Sequence, residues 1–483
     1  MKVENQTGWA SEEFADVDLG DKRLDARLMG MCDRFSKAPE SSINQACEDW
    51  AETKAAYRFF MNKNVEAQEI MEAHRLKTAE RAKEHKTVLA IQDTGCLVYT
   101  SHSKTEGLGR MSMKKGKNIE KIYSNGLMMH TCLGVTTDGL PVGLLDQRIF
   151  VRKLRTKKRR SLADVTPIEE KESYRWLQSL ENTKEITGDT QAVTVCDREA
   201  DLYDFFNLSD KIKSPVLARA NVDRAVNKRS RYTRKDVVKL WEHMRRQPEA
   251  GTITIKIPAK RKTQHCKERD ARVATLTLKY GSFLFNPPMH NVKHKSQKLP
   301  DIKMYAVYVF EANPPACVEP VEWMLLTNLA VANYAEAYEK VRWYCLRWRI
   351  EMYFKVLKSG FRVEDCRLGH ADRLIKYLTV MSIVAWRLFM VTLIARTSPD
   401  IPCTKIIADS EWKVLFRKVN KNKILPKTPP VIGEVVIWVA RLGGFLGRKG
   451  DGVPGTITLW REWKRLIDLT EGWNLANQSG TCG

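Results

Sequence analysis

The amino-acid sequence predicts a mixed α/β fold with helical segments at both ends. Between about residues 67 and 215, apolar runs of strand length alternate with helical patterns, as in α/β proteins. From about 216 to 326, short runs of β-branched and aromatic residues are punctuated by Pro and Gly, which is typical of strands. We therefore predict a mixed α/β core followed by a β-rich stretch, with helical segments on both sides.

The N-terminal segment, residues 1 to about 66, predicts a small helical unit. Asp18–Asp21 has the composition of a turn and a helix cap, and Arg23–Phe35 carries apolar residues at helical spacing. Cations line the same helix, at Arg23, Arg27 and Arg34, with Lys37 just beyond. These cations are consistent with a DNA-binding surface and equally with an ordinary solvent-exposed helix face.

The core region alternates helices and strands. In chain order the pattern predicts a helix over Ala67–Glu84, a strand from Thr87 to Asp93, strands over Leu127–Thr136 and Leu140–Asp146, a helix over Glu169–Glu181, a strand from Ala192 to Asp197 and a helix over Arg198–Leu208. Continuous apolar strands of this kind are buried on both faces, so they predict a sheet covered by helices.

The rest of the chain is first β-rich and then helical. Strands are predicted over Thr252–Ile257, Ala271–Lys279, Met304–Phe310 and Trp323–Thr327, a helix over Ala335–Lys358, and further helices separated by breaks at Pro399–Pro402, Pro426–Pro430 and Gly443–Gly455. The most apolar helix, Tyr377–Ile394, contains Arg387. We therefore expect a buried core helix there in preference to a membrane span.

Charge and cysteine usage restrict the function class. The 483 residues include 81 Lys and Arg against 58 Asp and Glu, which gives a net charge of +23. Two runs, 152–160 and 228–235, are densely basic, and this surplus favours a nucleic-acid partner over a solvated surface. The 11 cysteines form no CxxC pair and no disulfide framework, and the polar N-terminus lacks a signal sequence, so we expect reduced thiols and a cytoplasmic location.

Two acidic residues each follow an apolar strand. Asp93 closes one predicted strand and Asp197 closes another. Burial penalises a carboxylate at such a position unless a cation compensates it, and Mg²⁺ prefers carboxylate oxygens. The alternative for Asp197 is that it caps the predicted helix that follows.

A third acidic residue lies on the predicted helix over Ala335–Lys358. At about 100° per residue on a regular helix, Tyr344, Arg347, Glu351 and Lys358 share an arc about 60° wide. A glutamate beside cations on a solvent face would be the simpler interpretation. The large apolar residues that surround this polar stripe favour a functional site.

These residues resemble a known family. The pattern Tyr–x2–Arg–x3–Glu–x6–Lys at 344–358 is similar to the signature of bacterial cut-and-paste DDE transposases of the insertion-sequence-four group. Five further blocks resemble blocks of the family and follow one another in the family's order along the chain. They lie at residues 18–28, 89–94, 195–201, 322–327 and 440–445. The departure is at Gly95 and Cys96, where the family pattern leads us to expect other small residues.

The resemblance implies an organisation and an activity. Residues 1–66 would bind transposon ends, 67–393 would form a ribonuclease-H-like catalytic domain with its β-rich insertion at about 216–326, and 394–483 would mediate dimerisation and synapsis, through residues including Trp438, Phe445 and Trp460. Asp93, Asp197 and Glu351 would hold two Mg²⁺ ions, with Mn²⁺ as a substitute, for phosphoryl transfer. The expected products are 3′-strand nicks, hairpin ends, resolved ends and joined target DNA.

The resemblance also assigns DNA contacts to six side chains. Arg347 and Lys358 would hold phosphates near the scissile bond, Tyr344 would contact the same strand, and Trp323 would receive an expelled base unless it is simply a core residue. Arg27 and Lys37 match positions that contact the transposon end. The partners would be transposon-end and target DNA and a second copy of the chain, near the bacterial nucleoid and without a membrane. A nuclease or resolvase without strand transfer, and a catalytically silent DNA-binding regulator, are the competing functions.

Overall fold

A mixed sheet flanked by helices forms the centre of the computed structural model, which describes residues 8–47, 49–115, 120–152, 166–226, 238–257, 259, 270–288, 299–316, 318–421, 424–448 and 454–478. Ten strands belong to this sheet within the described residues. The prediction of a mixed α/β core with flanking helices is therefore confirmed.

The strands come from two parts of the chain, the predicted α/β region and the β-rich stretch that follows it. They are β1 (Thr87–Val98), β2 (Gly109–Lys115), β3 (Glu120–Thr136), β4 (Pro141–Phe150), β5 (Gln191–Cys196), β6 (Val216–Arg219), β7 (Gly251–Ile257), β8 (Arg272–Phe285), β9 (Ile302–Phe310) and β10 (Glu322–Thr327). Across the sheet the order is β3-β1-β5-β6-β10-β9-β8-β7, and β2 and β4 pair with successive parts of β3. Strands β1, β5 and β6 are parallel to one another and the other pairs are antiparallel. The β-rich insertion thus extends the core sheet, because β10 pairs directly with β6.

The apolar runs of the sequence form the inner strands. Val88–Ile91 on β1 and most of β5 are fully or almost fully buried, as expected for parallel strands covered on both faces. The sequence pattern missed β2, which forms a hairpin with the first part of β3. Polar and basic residues dominate that hairpin, and in β2 only Met111 and Met113 alternate with polar neighbours, which is too short an apolar pattern to identify the strand.

Within the part of the chain that the structure describes, the helices that precede the strands or lie between them are α5 (Ala67–Lys83), α6 (Tyr174–Thr187), α7 (Tyr203–Lys211) and α8 (Leu240–Arg245). The continuous helix predicted over Arg198–Leu208 is wrong. A 3₁₀ turn over Arg198–Ala200 is followed by non-helical Asp201, and α7 begins at Tyr203. The Asp201 carboxylate accepts the backbone N–H groups of Asn221 and Val222, which anchors the chain to the loop after β6 at this point.

The N-terminal segment is helical, as predicted, with α1 (Trp9–Glu13), α2 (Lys22–Lys37), α3 (Ile43–Ala46) and α4 (Trp50–Met61). Gly20 supplies a positive φ of 77° before α2, and Asp21 caps it by accepting the backbone N–H of Arg23. The buried face of α2 packs into the main core, where the Phe35 ring lies 6.3 Å from the ring of Tyr377.

The second half of the chain adds α9 (Tyr334–Leu346), α10 (Trp348–Lys355), α11 (Ala371–Thr397), α12 (Asp409–Asn420), α13 (Ile432–Leu442) and α14 (Thr456–Gln478). By length and composition alone α11 could cross a membrane, but 83% of its most apolar window is buried inside the protein, which is the placement predicted for a core helix. Helices α12 to α14 enclose a separate apolar cluster that includes Trp412, Val439 and Leu466. The predicted Pro- and Gly-rich breaks fall between these helices.

Candidate active site

The first two acidic residues lie at equivalent positions of neighbouring strands. Strands β1 and β5 are parallel, and their last paired residues are Ile91 and Val195. Continuing that register by two residues places Asp93 beside Asp197, because both pairs are separated by 104 positions. Adjacent strands lie about 4.8 Å apart, and residues in register point to the same face. The sheet therefore brings these two carboxylates together at the carboxyl ends of the parallel pair.

The prediction that Asp93 ends its strand is wrong. β1 continues to Val98, because its other edge remains paired with β3 up to that residue. Only the pairing with β5 stops, at Ile91. Asp93 therefore lies inside a strand but beyond the end of the parallel pair, where the sheet opens.

One oxygen of each aspartate accepts a nearby backbone N–H. Asp93 Oδ1 accepts from Thr94 at 2.7 Å, and Asp197 Oδ1 accepts from Glu199 at 2.8 Å. Asp197 therefore does cap a turn, as the simpler interpretation proposed. A carboxylate has several acceptor positions, so this bond leaves room for a ligand at the other oxygen.

Arg347 connects the third acidic residue, Glu351, to Asp93. Arg347 Nη2 bonds Glu351 Oε1 at 2.5 Å, and its Nη1 lies 3.5 Å from Asp93 Oδ2. Lys358 Nζ donates to the backbone carbonyl of Cys96, three residues beyond Asp93 on β1. Side chains of Arg347, Glu351 and Lys358 thus approach the same strand from the segment that the sequence singled out.

That segment is not the single regular helix assumed for the 60° arc. Its first helix, α9, begins after Asn333, whose side chain accepts the backbone N–H of Glu336, and ends at Leu346. Arg347 keeps helical φ and ψ but lies between α9 and α10, and Val356–Gly360 forms a π-helical turn that contains Lys358. Wider turns of this kind change the angular phase of the helix, so the angles computed for Lys358 on a regular helix do not apply.

An aromatic and cationic group borders the acidic residues. The ring of half-buried Trp323, on β10, lies 5.4 Å from the ring of Tyr344 at an interplanar angle of 62°. Arg219, the last residue of β6, donates from Nη2 to the carbonyl of Glu322 at 2.9 Å. Burial lowers its pKa, and the charges that act on it come from Tyr344, Arg198 and Arg347. Sequence reasoning missed Arg219, although a cation directly after an apolar strand was a usable signal.

Burial makes the charge on Asp93 costly. Desolvation raises the pKa of Asp93 to about 6, against an ordinary value of 3.8, and the negative charges of Asp197 and Glu351 add to the rise. The N–H of Thr94 and the guanidinium of Arg347 oppose it. Asp197 and Glu351 are therefore close enough to Asp93 to disfavour its charge, and a cation among the three would relieve that repulsion.

The donor set suits a divalent metal in chemistry. Three carboxylates provide the hard oxygen ligands that Mg²⁺ and Mn²⁺ favour. Among the described residues, however, no three His, Cys, Asp or Glu side chains are arranged as a ready-made metal cage. The Arg347 guanidinium lies between two of the three acidic residues, so metal binding would require that contact to be exchanged.

The remaining predicted site residues lie elsewhere or outside the described residues. Arg27 is half-buried on α2, and Lys37 is exposed at the end of that helix. Trp438 and Phe445 pack in the C-terminal apolar cluster. The basic residues 153–160 and 228–235 and the side chain of Trp460 lie outside the described residues. The eight cysteines within the described residues are free thiols, as expected.

Comparisons with known proteins place these observations in a family. One solved structure that the chain resembles is a piggyBac transposase synaptic complex with hairpin DNA, with a TM-score of 0.30 and 9% identity over 82% of this chain. This chain spans only 55% of that protein chain. Residues 6–65 match the family described as transposase DNA-binding, residues 164–385 match the transposase DDE domain, and residues 383–483 match the transposase Tn5 dimerisation domain.

Those three matches occur in order and together extend over residues 6–65 and 164–483. Asp197 and Glu351 lie inside the DDE match, and Asp93 precedes it. On these matches the chain belongs to the Tn5-like DDE transposases.

Proposed function

We propose that the protein binds the ends of its own transposon, cleaves them through a hairpin intermediate and joins them to target DNA. The observation that carries this proposal is the convergence of Asp93, Asp197 and Glu351, from three distant segments, beside Arg347. A cluster of carboxylates with adjoining cations suits metal-assisted phosphoryl transfer.

Asp93, Asp197 and Glu351 would hold two Mg²⁺ ions, or Mn²⁺ in their place. Bound divalent ions activate water or a DNA 3′-hydroxyl and stabilise the leaving oxygen of an in-line displacement. The backbone N–H groups of Thr94 and Glu199 orient the two aspartates by holding one oxygen of each. Both acidic groups are thereby fixed before DNA arrives, which lowers the cost of assembling the site.

The cations and aromatic rings around the acidic residues would position the DNA strand. Arg347 and Lys358 are held against β1 and would contact phosphates next to the scissile bond. Trp323 is half-buried, with its ring against Tyr344. A base expelled from a tight hairpin would stack on its open part, while Tyr344 contacts the same strand.

The net charge of +23 supplies the general attraction for DNA. Residues 1–66, including Arg27 and Lys37, would bind the transposon end, and residues 394–483 would join two copies of the chain in a synaptic complex. We expect the protein to act in the cytoplasm, at the nucleoid, where its DNA substrates are.

The test uses a supercoiled plasmid that carries the two genomic segments flanking the coding region. Full-length protein is incubated with this plasmid and Mg²⁺, and products are resolved on denaturing gels. Nicks followed by hairpin ends and joined molecules support the proposal. Hydrolysis without joining would indicate a nuclease or resolvase, and a gel shift without cleavage would indicate a DNA-binding regulator.

A matched pair of variants assigns the chemistry to the acidic residues. Asp197→Ala should abolish cleavage and keep binding of the end segments. Asp189→Ala is the control, because Asp189 is an exposed carboxylate just before the other end of β5. Equal loss of cleavage in the two variants, or loss of DNA binding together with cleavage in Asp197→Ala, would contradict a metal-ligand role.

A further inference from the structure

One arginine outside the predicted site connects the two segments that carry the aspartates. Arg175, near the start of α6, donates from Nε to the Thr94 hydroxyl at 2.9 Å and pairs through Nη2 with Glu199 Oε2 at 2.7 Å. Its Nη1 donates to the backbone carbonyl of Glu172 at 2.7 Å. The Arg175 side chain is only 10% exposed, so the guanidinium is enclosed and held at all three of its nitrogens.

The two residues that Arg175 contacts are those whose backbone N–H groups hold the aspartates. The Thr94 N–H donates to Asp93 Oδ1, and the Glu199 N–H donates to Asp197 Oδ1. The Arg175 guanidinium is therefore connected to each aspartate through one intervening residue, to Asp93 through Thr94 and to Asp197 through Glu199. Arg175 itself contacts neither acidic group in this arrangement.

The hydroxyl of Thr94 has a second partner that fixes its direction. It lies 2.9 Å from Nδ1 of His130, on β3. Because the Arg175 Nε–H donates to this hydroxyl, the hydroxyl can direct its own hydrogen to Nδ1. Burial, with the nearby charges of Arg175 and Arg148, lowers the pKa of His130 to about 3, so the ring is neutral and able to accept. The Trp176 ring packs against the imidazole at 4.8 Å.

Backbone pairing does not fix the spacing of the two aspartates. The hydrogen-bonded register of β1 and β5 stops at Ile91 and Val195, two residues before Asp93 and Asp197. Beyond that point the contacts of Arg175 with Thr94 and Glu199 span the gap between the two segments. Side-chain bridges of this kind determine how precisely metal ligands are placed.

We propose that Arg175 is a positioning residue that sets the separation of Asp93 and Asp197 and thereby strengthens divalent-metal binding. The proposal rests on the proposed function, since it takes these carboxylates as metal ligands. It concerns a residue that contacts neither of the two carboxylates directly, and it makes the Thr94 hydroxyl part of the same arrangement.

Charge alone predicts the opposite effect. A guanidinium near a metal site repels a divalent cation, so removing it would strengthen metal binding if Arg175 acted only through its charge. Loss of positioning would weaken binding, and outer-shell partners of metal ligands typically contribute about 10- to 100-fold in affinity. The sign of the change therefore separates the two roles.

The experiment measures Mn²⁺ binding to the full-length protein without DNA, by electron paramagnetic resonance of the free ion. The site is identified in the wild-type protein as the Mn²⁺ that is lost in Asp93→Asn. We expect Arg175→Ala and Thr94→Val each to weaken it by about tenfold, with a smaller loss in Arg175→Lys, which keeps the charge but not the fork of donors.

Arg272→Ala is the matched control. Arg272 is also enclosed, with a side chain that is 15% exposed, and it pairs with Glu311 in the β-rich insertion. We expect this variant to lose thermal stability and to keep Mn²⁺ affinity. Thr94→Val preserves side-chain shape, so it decides the question if Arg175→Ala fails to fold.

Unchanged or tighter Mn²⁺ binding in Arg175→Ala or, where that variant does not fold, in Thr94→Val would overturn the positioning role and leave the proposed function intact. A wild-type protein with no Mn²⁺ site that depends on Asp93 would overturn both. Equal weakening in Arg272→Ala would also refute the positioning role, because the loss would then reflect general destabilisation.

Discussion

Asp93→Asn should make the metal-free protein more stable at neutral and alkaline pH while abolishing catalysis. The asparagine side chain has nearly the same shape, and its carbonyl oxygen can still accept the Thr94 N–H that Asp93 Oδ1 accepts. The substitution removes the negative charge that burial and the neighbouring acidic residues make unfavourable. Active-site groups often carry such a cost in stability.

The magnitude follows from the pKa of Asp93. Its value of about 6 in the folded protein, against an ordinary 3.8, corresponds at about 1.36 kcal/mol per pH unit to about 3 kcal/mol. The raised pKa means that the folded state holds the proton more tightly than the unfolded state. The favourable contribution of protonated Asp93 is thus complete below about pH 4 and is lost as the pH rises through about 6.

The assay compares urea unfolding of wild-type protein and Asp93→Asn in EDTA at several pH values. At about pH 8 the variant should be more stable by up to about 3 kcal/mol, and near pH 4 the difference should disappear. Adding Mn²⁺ should stabilise the wild-type protein, because the ion binds the folded state and not the unfolded state. It should not stabilise the variant, which lacks the Asp93 carboxylate as a ligand. Asp189→Asn, at an exposed site, should change stability by less than about 0.5 kcal/mol at every pH. A variant that is less stable than wild type at pH 8, or a gain that does not vary with pH, would refute the electrostatic reasoning.

Three further predictions concern DNA. Trp323→Ala should permit the first nick but reduce hairpin formation about tenfold or more, since stacking of one base on an aromatic ring contributes about 1–3 kcal/mol; an equal loss of nicking and hairpins on time-resolved gels would contradict this role. Lys358→Ala should slow cleavage at least about tenfold while lowering the free energy of unfolding by no more than about 1 kcal/mol, because its bond to the Cys96 carbonyl is partly exposed; a large stability loss by urea unfolding would make it a structural residue. Arg219 lies among the cations and aromatic rings beside the acidic residues, and we expect it to contact a DNA phosphate. Arg219→Ala should therefore weaken binding of the flanking segments and reduce the slope of log affinity against log salt by about one; an unchanged slope in salt-titrated gel shifts would contradict this contact.

The sequence allowed the elements of the site to be predicted, because each lies in a strong local pattern. The apolar runs before Asp93 and Asp197 predict strands, and the helical pattern over Ala335–Lys358 predicts the segment that carries Glu351, although that segment is divided into α9 and α10. Local patterns contain no information about which strands pair or in which register. That the 104-residue separation of the aspartates equals the β1–β5 offset is visible only after the strands are paired.

The residues that sequence reasoning missed have no distinctive pattern. Arg175 follows a serine and a tyrosine near the start of a helix, where a cation is usually a solvated side chain. His130 lies in an apolar strand and is indistinguishable in sequence from a core residue. Their importance follows from tertiary contacts with Thr94, which the sequence places next to Asp93 but does not connect to α6 or β3.

Side-chain contacts attach the segments that carry Asp197 and Glu351 to β1, which carries Asp93, from two different sides. Asp197 is tied to it through Arg175, on the side of the parallel pair. Glu351 is tied to it from the other segment, because Lys358 donates to the carbonyl of Cys96 and the Phe354 ring would lie 3.6 Å from a Cβ placed at Gly95.

A small residue directly after Thr94 therefore lets α10 approach β1 closely enough for Arg347, which also pairs with Glu351, to reach Asp93. The Gly95 that departs from the expected family pattern still meets this requirement, since a contact of 3.6 Å is ordinary packing and would also admit alanine. A bulkier side chain at position 95 would displace α10, and with it Glu351, without altering the β1–β5 pair. The geometry of the site thus depends on β1, to which the segments that carry Asp197 and Glu351 are attached by separate side-chain contacts.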